Sequence, residues 1–144
     1  MPLQDTRQLT IPYGLNIDLA RSKKIAAAAA KEADRMKVHV VIAIVDAGGH
    51  LVYLERSDMA QHASVEIAIH KAKCSTAYKR PTKFFEDALI DGRMTLLTLD
   101  GVITVEGGIP LVEDGRIIGA IGVSGAKSQE DGQVAAAGAK ILSR

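Results

Sequence analysis

The chain has 144 residues and a formal charge of +1, with 47% hydrophobic, 24% charged and 3% aromatic residues. This length is typical of one domain, and the composition argues against disordered, collagen-like and coiled-coil proteins. The balanced charge provides no global field for nucleic acid or anionic membrane, and few aromatic rings are available for stacking, so we expect one soluble domain over residues 1–144, with its core at about 15–142.

The first third of the chain predicts a helix followed by a β-hairpin. Over residues 15–37, apolar and small residues recur on one side at helical spacing, which indicates one buried face. Val38–Val45 is apolar on both faces, as expected of a central strand covered on both sides. Because Asp46–Gly49 contains residues that tolerate positive φ, Leu51–Arg56 is expected to return as the second strand of the hairpin.

Segment 62–79 is predicted to be a helix with two apolar arcs on nearly opposite sides. One arc holds Val65, Ala68, Ile69, Ala72 and Thr76, and the other holds Ala63, Ile67, Cys74 and Tyr78. The polar arcs between them hold His62, Glu66 and Lys73, and Ser64, Lys71 and Ser75. A helix at the surface of a monomer needs only one apolar face, so the second arc is expected to meet another helix, a ligand or a neighbouring subunit. Self-association is the leading interpretation.

The remaining elements predict a sheet with helices packed on it. Pro81 ends the helix, and a short helix is expected at Lys83–Leu89. Glu113–Arg116 is typical of a tight turn that leads into a strand at Ile117–Val123, whose glycines allow close packing on its backbone. Short connections between strands make the sheet antiparallel, which predicts an α+β fold.

The last helix is expected to begin at Ser128. Asp131 follows three residues later, and the pair resembles a capping box. The preceding run, Gly119–Gly125, has neither the spacing of a Walker lysine nor a parallel βαβ context, so phosphate binding is a weak prediction. Since Ser124 and Gly125 lead towards a helix N-terminus, free backbone N–H groups there are candidates for binding a carboxylate.

Four residues spaced by four, His62, Glu66, His70 and Cys74, suggest a metal site or a catalytic cysteine. His62 and His70 would lie about 12 Å apart along a helix, too far to share one ion, so at most one adjacent pair binds. Three interpretations stay open: a polar stripe that ends in a buried, inert cysteine; a haem axial ligand from His62 or His70; and a zinc site or Cys–His nucleophile. Haem iron needs only one such nitrogen, while the porphyrin occupies an apolar slot.

Lys71 and Ser75 are also spaced as a possible Ser–Lys dyad. No recognisable oxyanion hole accompanies them, so a polar helix face is the ordinary interpretation, and anchoring a carboxylate is the more economical function for Lys71. Glu106–Pro110 is either a structural bulge or backbone exposed beside a ligand pocket. His39 and His50 are interpreted as structural histidines.

Cys74 is the single cysteine, so an intrachain disulfide is impossible and a reducing compartment fits. The N-terminal segment Met1–Arg7 lacks the pattern of a secretory leader, and no run approaches the roughly 18 apolar residues of a membrane span. We therefore expect a cytoplasmic protein.

Several motifs occur together in one order: Asp46-Ala47-Gly48-Gly49-His50-Leu51-Val52, Arg56-Ser57-Asp58-Met59, Lys71-Ala72-Lys73-Cys74-Ser75-Thr76-Ala77, Pro81-Thr82-Lys83, Glu106-Gly107-Gly108-Ile109-Pro110 and Gly115–Gly125. With them, the chain from about Leu15 to Leu142 resembles the GlcG/HbpS haem-binding family, which also occurs as the C-terminal domain of PduO-type corrinoid adenosyltransferases. The resemblance implies a profilin-like fold with a central antiparallel sheet, homo-oligomers and, for some members, haem binding or slow haem degradation. It also implies bacterial operons for glycolate, propanediol or glycerol use.

The family-type positions are Gly48, Gly49, His50, Arg56, Asp58, Lys71, Ala72, Glu106, Gly107, Gly108, Pro110, Ser124 and Gly125. Two features depart from the family pattern. Cys74 stands where the family often has threonine, and His62 and His70 lie outside the pattern. The prediction of an axial ligand therefore rests on local chemistry and not on the resemblance.

The leading hypothesis is an oligomeric small-molecule-binding protein that accepts haem or a related tetrapyrrole or corrinoid. We expect an apolar groove rimmed by Arg56, Lys71 and Ser124, with Gly107–Gly108 beside it. The macrocycle would lie on the second apolar arc of helix 62–79, and Arg56 or Lys71 would pair with its propionates.

The alternative is an enzyme or accessory factor that acts on a small carboxylic or hydroxylated metabolite. In that case Glu106 is the general acid/base, Lys71 anchors the anion, and the amides of Gly107 and Gly108 stabilise charge. A third interpretation is an assembly protein without a small ligand.

Overall fold

The structure is a computed structural model that describes residues 10–142. Its α-helices are α1 (Leu19–Met36), α2 (Ala63–Tyr78), α3 (Thr82–Ile90) and α4 (Ser128–Ala139). Its strands are β1 (Val41–Asp46), β2 (Leu51–Arg56), β3 (Gly108–Glu113) and β4 (Arg116–Ser124). Short 3-10 helices follow α3 and α4, at Met94–Thr98 and Lys140–Leu142. The N-terminal segment used to predict localisation lies outside the described residues.

The four strands form one antiparallel sheet in the order β2-β1-β4-β3. Strand β1 pairs with β2 on one side and with β4 on the other. The second hairpin turns at Asp114 and Gly115, which have positive φ angles of 51° and 72°. An antiparallel sheet with helices packed on it confirms the predicted α+β fold.

Helices cover both faces of the sheet. On one face, Ile25 of α1 lies in the same apolar cluster as Ile42 of β1 and residues of α4. On the other face, Ala68 of α2 clusters with Val41 of β1. Because successive strand residues point to opposite faces, all of Val41–Val45 is buried, as predicted for a central strand. No helix within residues 10–142 combines the length and apolar character needed to cross a membrane.

One helix start and one helix cap differ from the prediction. Helix α1 begins at Leu19 and not at residue 15, because the side chain of Asp18 accepts a hydrogen bond from Arg21 N (2.8 Å) and caps the helix there. The predicted capping box of Ser128 and Asp131 is wrong by one position. The N-cap of α4 is Lys127, whose amide donates to Glu130 Oε1 (3.1 Å).

Helix α2 has the predicted extent but a different buried face. Ser64, Lys71 and Ser75, which form one of the predicted polar arcs, are buried. The two apolar arcs flank this face on either side, so a polar stripe forms the centre of the contact between helix and sheet.

The second apolar arc is largely covered within the subunit. Cys74 is 1% exposed and clusters with Phe85 of α3, and Tyr78 packs against the same cluster. Ala63, at the start of the arc, is exposed, and Ile67 is half-buried. The arc alone therefore gives no reason to require a neighbouring subunit, since α3 covers its C-terminal half.

Candidate functional site

Two neighbouring glycines allow α2 to lie directly on the sheet. Gly108 of β3 and Gly122 of β4 are partners in the strand register. A Cβ atom on Gly122 would lie 2.0 Å from the carbonyl oxygen of Ala68, and one on Gly108 would lie 2.4 Å from that of Lys71. Helix backbone therefore contacts strand backbone at these positions, which leaves no room for a side chain.

This close approach places the side chain of Lys71 inside the protein, where it is 1% exposed. Its Nζ donates hydrogen bonds to Val123 O (2.9 Å) and to Asp131 Oδ2 (3.1 Å). Asp131 lies on α4, on the opposite face of the sheet. The pair therefore connects the two helical layers beside the start of β3. Gly107 leaves the space that the ammonium of Lys71 occupies, because a Cβ atom on Gly107 would lie 2.7 Å from Nζ.

The carboxylate of Asp131 is held from two sides. Its Oδ1 accepts a hydrogen bond from Ala126 N (2.9 Å), and its Oδ2 accepts from Lys71. Burial raises the pKa of Asp131, and the ammonium of Lys71 opposes that effect. A buried ion pair needs such additional hydrogen bonds to offset the loss of hydration.

The structure does not bring Arg56, Lys71 and Ser124 together as the rim of one groove. Arg56 and Ser124 are both register partners of Val41, which places them on opposite sides of β1, about 10 Å apart. Arg56 is exposed, but Ser124 is buried and donates to Ser64 Oγ (3.1 Å). Only Arg56 of the three has its charged or polar end at the surface.

Glu106 does lie near Lys71, as the enzyme hypothesis requires. Its carboxylate packs against α4, where a Cβ atom on Gly132 would lie 2.1 Å from Glu106 Oε2. Burial raises the pKa of Glu106, with nearby acidic side chains adding to the effect and Lys83 and Lys71 opposing it. A carboxyl group with a raised pKa can exchange a proton closer to neutral pH.

Two other groups that the enzyme hypothesis needs, the Gly108 amide and the Lys71 ammonium, form hydrogen bonds within the protein. The amide of Gly108 donates to Thr82 Oγ1 (2.9 Å), so it is not free to stabilise an oxyanion. Ser75 Oγ is buried without a hydrogen-bond partner among the described residues. Since Lys71 Nζ bonds to Val123 and Asp131 instead, Lys71 and Ser75 do not form a dyad.

The stripe His62, Glu66, His70 is exposed and ends in buried Cys74. Cys74 Sγ accepts a hydrogen bond from Ile103 N (3.4 Å), and burial raises the pKa of the thiol, so this cysteine is a poor nucleophile. Among residues 10–142, no three His, Cys, Asp or Glu side chains are grouped to hold a metal ion. The arrangement matches the interpretation of a polar stripe that ends in an inert thiol, with both imidazoles open to solvent.

A cleft of about 640 Å³ opens beside the loop between β1 and β2. It is lined by Tyr13, Ala47, Gly48, Gly49, His50, Lys73, Thr76 and Ala77. The sequence does not predict this cleft, because its walls come from three separate segments. Asp46–Gly49 indicates a turn and His50 a structural histidine, and neither pattern points to a pocket. The juxtaposition of His50 with Lys73 of α2 becomes visible only in the folded chain.

Comparison with known proteins gives consistent matches. Residues 17–140 match the family model described as haem degrading protein HbpS-like. Protein GlcG of Escherichia coli strain K12 is 40% identical over 100 residues, which cover 69% of this chain and 75% of that protein. The crystal structure of HbpS has a TM-score of 0.82 at 31% identity, covering 92% of this chain and 94% of that chain.

A crystal structure of a PduOC:heme complex is also similar, with a TM-score of 0.78 and 29% identity over 87% of this chain and 94% of that chain. The sequence match and the structural matches agree on nearly the whole described chain. They confirm the resemblance that the ordered motifs predicted: the chain belongs to the HbpS-like family.

Proposed function

We propose that this protein binds haem or a related tetrapyrrole, and that it does so as a homo-oligomer. The observation that carries the proposal is a cleft of about 640 Å³ with a mainly apolar lining and an imidazole, that of His50, at its edge. Ligand pockets are commonly about 300–1,000 Å³ in volume. The family match and the similarity to the PduOC:heme complex support the same ligand class.

The residues of the chain fit haem chemically. Haem iron takes an axial nitrogen from the protein, and all four histidines have exposed side chains. The apolar cleft provides a surface for one face of the macrocycle. When bound, haem would supply redox-active iron, while the protein would orient the ring and control access of water to it. The sequence predicts the axial ligand at His62, which precedes the first residue of α2, or at His70 on α2, and both side chains are exposed.

Titration with haemin tests the proposal. We expect a saturable shift of the Soret band at one haemin per subunit, with hydroxocobalamin as a competitor to test the corrinoid alternative. His62→Ala and His70→Ala test the two ligand predictions from the sequence. An absorbance change that rises linearly without saturation would show non-specific adsorption and contradict haem binding.

Exposed apolar side chains support the proposed self-association. Near the end of α3 and in the segment that follows, large apolar residues are exposed: Ile90, Met94, Leu97, Leu99 and Val105. A surface of this kind is typical of a contact with another protein, here a second copy of the chain. Sedimentation velocity should show that Leu97→Asp lowers the mass of the assembly, and Ile67→Asp tests the contribution of the second apolar arc. An unchanged profile for both variants would contradict the proposed interface.

The second candidate function is catalysis on a small carboxylic or hydroxylated metabolite. The observation that favours it is the half-buried Glu106, whose pKa is raised beside Lys71 and Gly107. A screen with glycolate, propanediol and glycerol, the metabolites implied by the family resemblance, tests both the activity and the metabolic setting. Any turnover found should be abolished in Glu106→Gln. A turnover that survives this substitution would remove Glu106 as the acid/base.

A further inference from the structure

We infer that the cleft beside the β1–β2 loop is the ligand site, with His50 as the axial ligand of the metal and Lys73 as the cation that pairs with a ligand carboxylate. This inference rests on the proposed function and specifies where it takes place. Its two residues differ from the sequence predictions, which placed the axial ligand at His62 or His70 and the cation at Lys71 or Arg56.

The loop that carries His50 is fixed in place by hydrogen bonds. Asp46 Oδ1 accepts from the backbone amide of His50 (3.0 Å), and Ala47 N donates to Asn16 Oδ1 (3.1 Å). From the side of α2, Thr76 Oγ1 donates to Ala47 O (2.8 Å). These contacts hold the cleft in one geometry before a ligand arrives, which reduces the entropy lost on binding.

The imidazole of His50 has a carboxylate beside one of its ring nitrogens, an arrangement that is common among metal-binding histidines. Its Nδ1 lies 3.3 Å from Asp46 Oδ1, and the side chain is 83% exposed. A carboxylate facing one ring nitrogen favours the proton on that nitrogen, which leaves the lone pair on Nε2 for a metal. The ring also packs against Gly48, where a Cβ atom would lie 3.2 Å from Nδ1 and Cε1.

The other three histidines lack this arrangement. His39 Nδ1 faces the hydroxyl of Ser57 at 3.4 Å. Within residues 10–142, neither His62 nor His70 has a carboxylate within ion-pair distance, whereas His50 does. The neighbouring carboxylate of Asp46 therefore distinguishes His50 from the other exposed histidines.

The remaining lining provides an apolar wall and a positive charge. The ring of Tyr13 forms one wall and is held by its hydroxyl, which donates to Thr76 O (2.7 Å). Ala47 and Ala77 add small apolar surfaces. Lys73 is exposed at the cleft. Lys71, two residues earlier on α2, points into the interior and forms a hydrogen bond with Asp131. The apolar wall, the imidazole of His50 and the ammonium of Lys73 together fit a planar, largely apolar macrocycle that carries a metal and a carboxylate.

Two titrations separate the proposed functions of His50 and Lys73. With haemin, His50→Ala should lose the Soret shift and weaken binding by at least about tenfold. With metal-free protoporphyrin IX, followed by its fluorescence, the same variant should bind within about twofold of the parent, because there is no metal to coordinate. Lys73→Met should weaken both ligands by a similar factor, and Ala77→Phe should block both by filling the cleft.

Matched controls make the result specific. His39→Ala, His62→Ala and His70→Ala remove the other exposed imidazoles, and Lys24→Met removes an exposed lysine on α1, outside the cleft lining. Circular dichroism and thermal unfolding confirm that each variant is folded. These controls should bind both ligands like the parent protein.

The possible failures are distinguishable. If the parent protein binds neither haemin nor protoporphyrin, the proposed function fails and this inference fails with it. If the parent protein binds haemin but the His50, Lys73 and Ala77 variants bind as tightly, the inference is overturned while the proposed function stands. Loss of the Soret shift in His62→Ala or His70→Ala, with His50→Ala unchanged, would assign the axial ligand to α2.

Discussion

The two faces of the sheet are built from different interactions. On the face covered by α1 and α4, buried aliphatic side chains such as Ile25 and Ile42 fill the space between the layers. On the face covered by α2, glycine backbone at Gly108 and Gly122 contacts the helix directly. The side chain of Lys71 then passes from this second layer to the first.

This difference predicts different sensitivities. An aliphatic interface can absorb small changes in volume by local repacking. The α2 interface contains a buried charge and two positions without space for a methyl group, so small changes there leave an unpaired ion or force the helix away from the sheet. We expect the largest losses of stability on the α2 face.

The largest effect is expected for Lys71→Met, which keeps the length of the side chain but removes its charge. Asp131 would then be a buried carboxylate without its cation, and breaking such a pair typically lowers the free energy of unfolding by about 3–5 kcal/mol. Urea denaturation measures the loss. Adding Asp131→Asn to Lys71→Met should recover part of it, because the unpaired charge is removed while an oxygen still accepts from Ala126 N.

The exposed pair of Lys83 and Asp87 is the matched control. Its Nζ–Oδ2 distance is 2.9 Å, similar to that of the buried pair, but the side chain of Lys83 is 56% exposed. Lys83→Met should lower the free energy of unfolding by less than about 0.5 kcal/mol. Equal losses for Lys71→Met and Lys83→Met would show that the buried pair does not stabilise the link between layers.

Gly122→Ala should have the next largest effect. The added methyl group would lie 2.0 Å from Ala68 O and 2.7 Å from Ala72 N, so α2 must move away from β4. Overpacking of this kind typically lowers the free energy of unfolding by about 1–3 kcal/mol. Gly48→Ala is the control, since the three atoms nearest to its methyl group would be side-chain atoms of His50 and Asp46, at 3.2 Å or more. Similar denaturation midpoints for both variants would contradict the close backbone contact.

A smaller loss is expected on the aliphatic face. Ile42 is 2% exposed, and Ile42→Val removes one methylene group from the cluster beneath α1. Such substitutions typically lower the free energy of unfolding by about 0.5–1.5 kcal/mol. Urea denaturation should therefore rank Ile42→Val below Gly122→Ala. The reverse order would mean that the aliphatic face is the less tolerant of the two.

Local patterns in the sequence predicted the elements but not the orientation of α2. Asp46–Gly49 marked the first hairpin, and the small apolar residues of α1 marked its buried face. For α2, the two apolar arcs predict the buried surfaces, yet Lys71 of the polar arc between them lies at the centre of the contact. Its partners, Val123 and Asp131, are 52 and 60 residues away in the chain, and only the folded sheet brings them together.

The same limit applies to the candidate site. Sequence reasoning selected Lys71 as an anion anchor from its motif, but could not show that Asp131, interpreted as a helix cap, neutralises it inside the protein. The sequence also favours a structural interpretation of His50. The residues that line the cleft with it, Tyr13 and Lys73, Thr76 and Ala77 of α2, are distant in the sequence, so no local pattern connects them to His50. The sequence of a single segment predicts its secondary structure. A site formed between segments depends on tertiary packing, which no single segment specifies.

The smallest expected effect is a difference in pH dependence at Glu106, next to the buried pair. Burial raises the pKa of Glu106 above its ordinary value of 4.5, so the folded state holds this proton more tightly than the unfolded state does. The contribution of Glu106 to stability is therefore most favourable below the ordinary value and is lost as the pH rises through the raised pKa. Glu106→Gln cannot lose a proton, so its free energy of unfolding relative to the parent protein should increase as the pH rises through this window. Urea denaturation of both proteins at several pH values measures the difference. A difference that stays flat, or falls with rising pH, would show that burial beside α4 does not disfavour the charged carboxylate.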